Sequence, residues 1–187
     1  MGPAPPRKAG PRRCNAEHPT HELGTEFGRP TFRGDRIRSA RIDYNAAAPA
    51  GMKAVGGVYG YIATSGLPKA LLELVYLRVS QINGCAYCID MHSRSLLKEG
   101  IAVEKVLLVP GWRESGAVFD ATERAALAWS ETVTRIADAG VPDAAYDDAA
   151  AAFDQKQLAD LTIAIGLMNA YNRIAVSFGA TPEGASQ

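Results

Sequence analysis

Residues 70–82, ALLELVYLRVSQI, are apolar on nearly every face, follow Pro68 and run into Asn83 and Gly84. A surface helix carries its apolar residues in one stripe, so a segment that is apolar all round has to be enclosed by other elements. The expectation is a buried central helix with a glycine break behind it. The rest of the chain offers the enclosure. Residues 85–100, CAYCIDMHSRSLLKEG, read as a second helix with Gly100 as its left-handed terminator. Residues 119–140 place Asp120 three positions before Glu123, the spacing of a capping box, with Gly140 as the stop. Residues 142–153 are alanine-rich, and residues 154–178 open with Asp154 and Gln157 in the same capping spacing. Strong helix formers fill these segments and no run shows a sustained alternation of β-branched residues, so the fold class is all-α. No internal repeat is evident.

The 187 residues suffice for one domain with a substantial core. Residues 1–31 are rich in Pro, Gly, Arg and His and have almost no apolar periodicity, which predicts a disordered tail followed by one domain over residues 32–187. Cys14, His18 and His21 could be imagined as metal ligands in the tail, but binding there would have to order a free segment, and no metal is expected. With 47% hydrophobic residues, 21% charged residues and no net charge, the composition is that of a soluble globular protein and gives no sign of a nucleic-acid binder. The longest apolar runs, such as LADLTIAIGLMNA with Asp160 and Asn169 in it, are shorter than the roughly 20 residues that span a bilayer, so no membrane association is expected. The basic start MGPAPPRKAGPRRC has no apolar stretch behind it, unlike a secretory signal, and three cysteines are an odd number for a disulfide scaffold. A reducing cytoplasm is the expected location.

Two of the three cysteines and one of the three histidines sit together in NGCAYCIDMH, residues 83–92. On a helix Cys85, Cys88 and His92 share one face, and a helix that starts just after Gly84 puts both thiols where unpaired backbone N–H groups stabilise a thiolate. His92 can accept the Cys88 proton or stand beside the thiolate as a cation. Three readings fit these residues: a redox dithiol, a zinc site lacking a clear fourth ligand, and a pair of inert buried thiols. Glu73 lies in the middle of the apolar helix, where a carboxylate is costly unless it is paired or titrates. It is either a functional acid or the edge partner of Lys69, one turn earlier. Asn169, Asn172 and Arg173 form a polar edge on an apolar helix, either a corner of the pocket or, as expected here, a subunit contact. Trp112 and Trp129 are expected to anchor the core or an interface.

The stretch ELVYLRVSQINGCAYCIDMH resembles the alkylhydroperoxidase AhpD-like branch of the carboxymuconolactone decarboxylase superfamily, whose signature is a glutamate, a C-x-x-C dithiol twelve residues later and a histidine four beyond the second cysteine. The likeness continues through WRESGAVFDATERAALAWSETVT and LTIAIGLMNAYNRIAVSF, covering about residues 35–178. The resemblance implies an all-helical AhpD-like fold, a helical hairpin carrying the dithiol, and a homo-oligomer, trimer or hexamer. It implies a thiol-dependent peroxidase of small hydroperoxides in which Cys88 attacks, Cys85 resolves, His92 is the base and Glu73 a relay acid. No cofactor is implied beyond the redox-active Cys85–Cys88 disulfide, reset by an external dithiol or a lipoyl-type reductant protein. Tyr87 stands where the best-known peroxidases of the family have a relay histidine, and a phenol is a far weaker acid than an imidazolium. The alternatives are a carboxymuconolactone decarboxylase-like proton-transfer enzyme, with His92 or Glu73 as base, and a redox-sensing oligomer.

Overall fold

The computed structural model describes residues 1–2 and 41–182. All but the first two residues of the expected tail, the start of the domain at residue 32, and Cys14, His18 and His21 lie outside the described residues. Within them the chain forms α1 (Tyr44–Ala47), α2 (Pro49–Ala63), α3 (Lys69–Asn83), α4 (Ala86–Lys98) and α5 (Val103–Leu108), then a 3-10 turn at Val109–Gly111. It continues through α6 (Ala121–Thr134), α7 (Ile136–Ala139), α8 (Asp143–Ala152) and α9 (Gln155–Phe178). There is no strand among the described residues, as the all-α reading requires. No helix there is long and apolar enough to cross a membrane.

Helix α3 packs against α4, α6 and α9. Its all-round apolar sequence is explained by two cores on different flanks. Val75, Tyr76 and Val79 join Trp129, Leu161, Ile165 and Met168 in one, whereas Leu74 and Leu77 join Leu96, Val109, Trp112 and Leu127 in the other. Both tryptophans are thus core residues. Full burial of each such aliphatic side chain contributes about 1.5–3 kcal/mol, so α3 organises the fold.

Both capping boxes form: Asp120 accepts from the Glu123 amide and Asp154 from the Gln157 amide, each at 2.8 Å, and both return bonds are made. Gly100 follows α4 with φ +81°, and the bonds Ile101 N–H to Leu96 O and Gly100 N–H to Leu97 O close a Schellman motif. Residues 119–140, read as one helix, are interrupted. Arg135 leaves helical geometry at φ −100° and ψ 25°, and only the short α7 reaches Gly140. The break follows Thr132, Val133 and Thr134, whose branched side chains lose rotamer freedom in a helix, and the Thr134 hydroxyl accepts from Asn169 Nδ2 on α9 at 3.1 Å. Helix α2, in a segment read only as punctuated by Pro and Gly, begins with Pro49 in its first turn.

One buried charge cluster braces the second core. Glu131 on α6 accepts from Arg78 Nε on α3 at 2.7 Å, from Trp112 Nε1 at 2.9 Å, and from Arg113. Burial pushes the Glu131 carboxyl up, but the hydrogen bonds from Trp112, Arg113 and Arg78 outweigh it and the net shift is downward.

Candidate active site

The site is built on the turn between α3 and α4. Gly84 has φ +67°, a conformation that L side chains rarely adopt, and it ends α3 in a second Schellman motif: Cys85 N–H donates to Ser80 O at 3.0 Å and Gly84 N–H to Gln81 O. The next residue, Cys85, is already the N-cap of α4, and its sulfur accepts from the Cys88 amide at 3.3 Å. One residue therefore closes one helix and opens the next. Cys85 and Cys88 are joined as a disulfide with their Cα atoms 5.3 Å apart, and each is 2% exposed. Cys85 caps the helix from just outside its first turn, one position earlier than a helix beginning at residue 85 would put it.

Glu73 and His92, on opposite arms of this hairpin, meet with His92 Nδ1 2.7 Å from Glu73 Oε2, and both are buried. A carboxylate there accepts from Nδ1–H, and in the neutral ring this leaves Nε2 with a free lone pair. Nε2 is buried and has no hydrogen-bond partner. The Tyr76 ring lies against the imidazole with centroids 5.2 Å apart, so ring position is set from two sides. The edge pair between Glu73 and Lys69 is not formed. Lys69 Nζ bonds Glu99 Oε1 at 2.5 Å on the surface, because one turn along α3 carries Glu73 inward.

A cavity of ≈ 470 Å³ opens onto these groups, with Cys88, His92, Glu73 and Tyr87 in its wall. Cys85 is not in that wall; it packs with Cys88 against Ala175, Tyr87 and Ala180. The structure thus gathers the residues singled out in the sequence, with Cys88 in the cavity wall and its disulfide partner Cys85 outside it. Among the described residues no group of three His, Cys, Asp or Glu side chains is placed to hold a metal ion.

The rest of the wall comes from distant parts of the chain that sequence reasoning did not connect. Tyr44, Tyr59 and Tyr171 line it together with Met52, Met91 and Met168. Burial raises all three of these phenols above the usual tyrosine value, so they remain neutral donors at physiological pH. Among the described residues of the wall, Glu73 is the only Asp, Glu, Lys or Arg. The asparagines expected at a subunit contact turn inward instead. Asn83 Nδ2 donates to Asn169 Oδ1 and to Asn172 Oδ1, each at 2.9 Å, and Asn172 Nδ2 donates to Ser80 Oγ at 3.1 Å. Their amides complete one another across α3 and α9, and Asn172 is 1% exposed.

An all-helical scaffold that presents a Cys-x-x-Cys pair and a buried Glu–His pair on one helical hairpin defines a dithiol protein of a known kind. Residues 49–132 match the carboxymuconolactone decarboxylase family. The uncharacterised protein YdfG of Bacillus subtilis is 36% identical over 141 residues, 75% of this chain and 95% of that protein. The solved structure of ATU0492 from Agrobacterium tumefaciens, a protein of unknown function described as a candidate AhpD antioxidant defence protein, superposes with a TM-score of 0.74 at 40% identity, covering 77% of this chain and 98% of the other. The alkyl hydroperoxide reductase AhpD of Corynebacterium aurimucosum is 44% identical over 45 residues, 24% of this chain and 25% of that enzyme. The chain belongs to the AhpD-like branch of the carboxymuconolactone decarboxylase superfamily.

Proposed function

We propose that the chain is a thiol-dependent peroxidase that reduces small hydroperoxides with the Cys85–Cys88 dithiol. The observation that carries this reading is the unequal placement of the two cysteines, with Cys88 in the cavity wall with His92 and Cys85 outside that wall but bonded to Cys88. In the reduced protein, His92 Nε2 takes the Cys88 proton and the thiolate attacks the distal peroxide oxygen. The S–O bond forms, the O–O bond breaks, and the alkoxide leaves with a proton returned by His92. Cys85 as thiolate then attacks the sulfenic sulfur; the S–S bond forms and hydroxide leaves to become water. Two electrons have passed from the dithiol to the peroxide. An external dithiol restores both thiols by exchange, and a slender carrier such as a lipoyl arm suits the same cavity.

The dithiol favours this reading over lactone decarboxylation, a proton transfer that has no use for a disulfide-forming Cys85–Cys88 pair beside the cavity. Turnover of cumene hydroperoxide with dithiothreitol, run beside consumption of carboxymuconolactone, tests the assignment. Hydroperoxide turnover without lactone consumption is expected, and the reverse result overturns it. Glu73 has its own test. Glu73→Gln keeps the shape and a hydrogen-bonding amide but no longer fixes the imidazole by charge or exchanges a proton with it. It should fold normally and lose at least about tenfold in hydroperoxide turnover, equivalent to roughly 1.4 kcal/mol of barrier. Full turnover in that variant removes Glu73 from the mechanism.

A further inference from the structure

We propose that Asn172 is a positioning residue for the resolving thiol, acting through Ser80 and Asn83 to hold Cys85 within closing distance of Cys88. The proposal rests on the peroxidase reading for the step it names, and on the hydrogen-bond geometry for the device itself.

The connections form one chain. Asn172 Nδ2 donates to Ser80 Oγ, and Ser80 O accepts the Cys85 amide. Asn172 Oδ1 accepts from Asn83, the last residue of α3, whose amide also bonds Asn169. Asn169 is held in turn by the Thr134 hydroxyl of α6 and by Arg173. The bonds of Ser80 and Asn83 lie in the last turn of α3, where the backbone passes into Cys85, and those of Asn169 to Thr134 and Arg173 fix the α9 side of the set. Three residues beyond Asn172 on the same helix, Ala175 shares one buried apolar cluster with both cysteines. Helix α9 therefore grips the hairpin turn at one level and covers the dithiol at the next.

A network buried to this degree is costly unless it is complete: Ser80 is 0% exposed and Asn172 is 1% exposed. A leucine at position 172 keeps the heavy-atom count and the branch at Cγ and would lie against the apolar neighbours Met168 and Ala175. Packing of α9 on α3 does not by itself need an amide there. Disulfide closure does. The Cys88 sulfenic acid waits for a sulfur that must approach from one side, and small misplacement of a reacting group is costly in rate. A turn released from Ser80 and Asn83 lets Cys85 sample positions away from Cys88. That lowers the effective concentration of one thiol near the other, and both the closure rate and the stability of the disulfide fall with it.

The test uses the full chain and two variants, Asn172→Leu and, in the half-buried position, Asn83→Ala. The dithiol–disulfide equilibrium against a thiol buffer, read by alkylation and mass spectrometry, needs no peroxide. It should shift about tenfold toward the dithiol, a potential about 30 mV less negative. In single turnover with hydroperoxide, sulfenic acid should form at the wild-type rate but close at least about tenfold more slowly, so that dimedone traps it at Cys88 with both cysteines present. A lowered melting temperature with unchanged equilibrium and closure rate overturns the proposal, since it assigns the asparagines to packing alone. Should Asn172→Leu not fold, Asn83→Ala decides by the same two readouts. A wild-type protein that consumes no hydroperoxide would end the peroxidase reading, and the equilibrium measurement would still judge the positioning role.

Discussion

Cys88→Ser is expected to abolish hydroperoxide consumption, whereas Cys85→Ser should consume one equivalent and stop. The asymmetry follows from position. Cys88 lines the cavity with His92, while Cys85 sits outside its wall. A serine hydroxyl is far less acidic than a thiol and is no practical nucleophile toward peroxide at neutral pH, even beside an imidazole. Cys85→Ser leaves the attacking sulfur and its base in place but removes the partner that closes the disulfide. The sulfenic acid then persists and reacts with dimedone at Cys88. Mass-spectrometric assignment of the adduct settles the roles, and dimedone on Cys85 in the Cys88→Ser protein would reverse them. The capping bond from the Cys88 amide to the Cys85 sulfur fits the resolving role, because it favours a thiolate at Cys85 in the reduced protein.

The largest loss of stability from one side chain outside the site is expected at Glu131. Glu131→Ala leaves the Arg78 guanidinium, which is 13% exposed, and the buried Trp112 N–H without their acceptor. Removing one partner of a buried ion pair costs about 3–5 kcal/mol, and the half-exposed Arg113 places this case near about 3 kcal/mol. At this chain size that corresponds to roughly 6–12 °C in melting temperature. Acid should produce part of the same loss in the unmodified protein. The folded-state Glu131 carboxyl lies below its ordinary value of 4.5, so its contribution is present above that value and disappears as pH falls through the depressed folded one. Thermal melts at neutral and acidic pH, run on the wild type and on Glu131→Gln, check this: the variant's midpoint should depend less on pH over that window.

The elements most legible in the sequence were those governed by local rules. An apolar run, a glycine break and two capping boxes need only neighbours in the chain, and the spacing of Glu73, Cys85, Cys88 and His92 needs only the helical repeat. Helix α2 was hidden because Gly51, Gly56, Gly57 and Gly60 argue against a helix, and propensity is a weak prior where tertiary packing, here Ile62 in the core, decides. The inward turn of Asn169 and Asn172 depends on Asn83, which lies 86 and 89 residues away along the chain, a distance no local pattern spans. Tyr44, Tyr59 and Tyr171 of the cavity wall come from α1, α2 and α9 and were invisible for the same reason. Glu131 left a readable trace, an acid among the apolar residues of AALAWSETV, but its partners Arg78 and Arg113 could not be paired with it from the sequence.

Because Cys85 both ends α3 and begins α4, the hairpin has no slack. A helix turns about 100° per residue, so one residue inserted near Gly84 would carry His92 and Cys88 round to a different face from Glu73. A substitution along residues 73–92 removes one group from the site; a change of length there moves several at once. In this protein the reactive groups are held less by a pocket assembled from afar than by the count of residues between them.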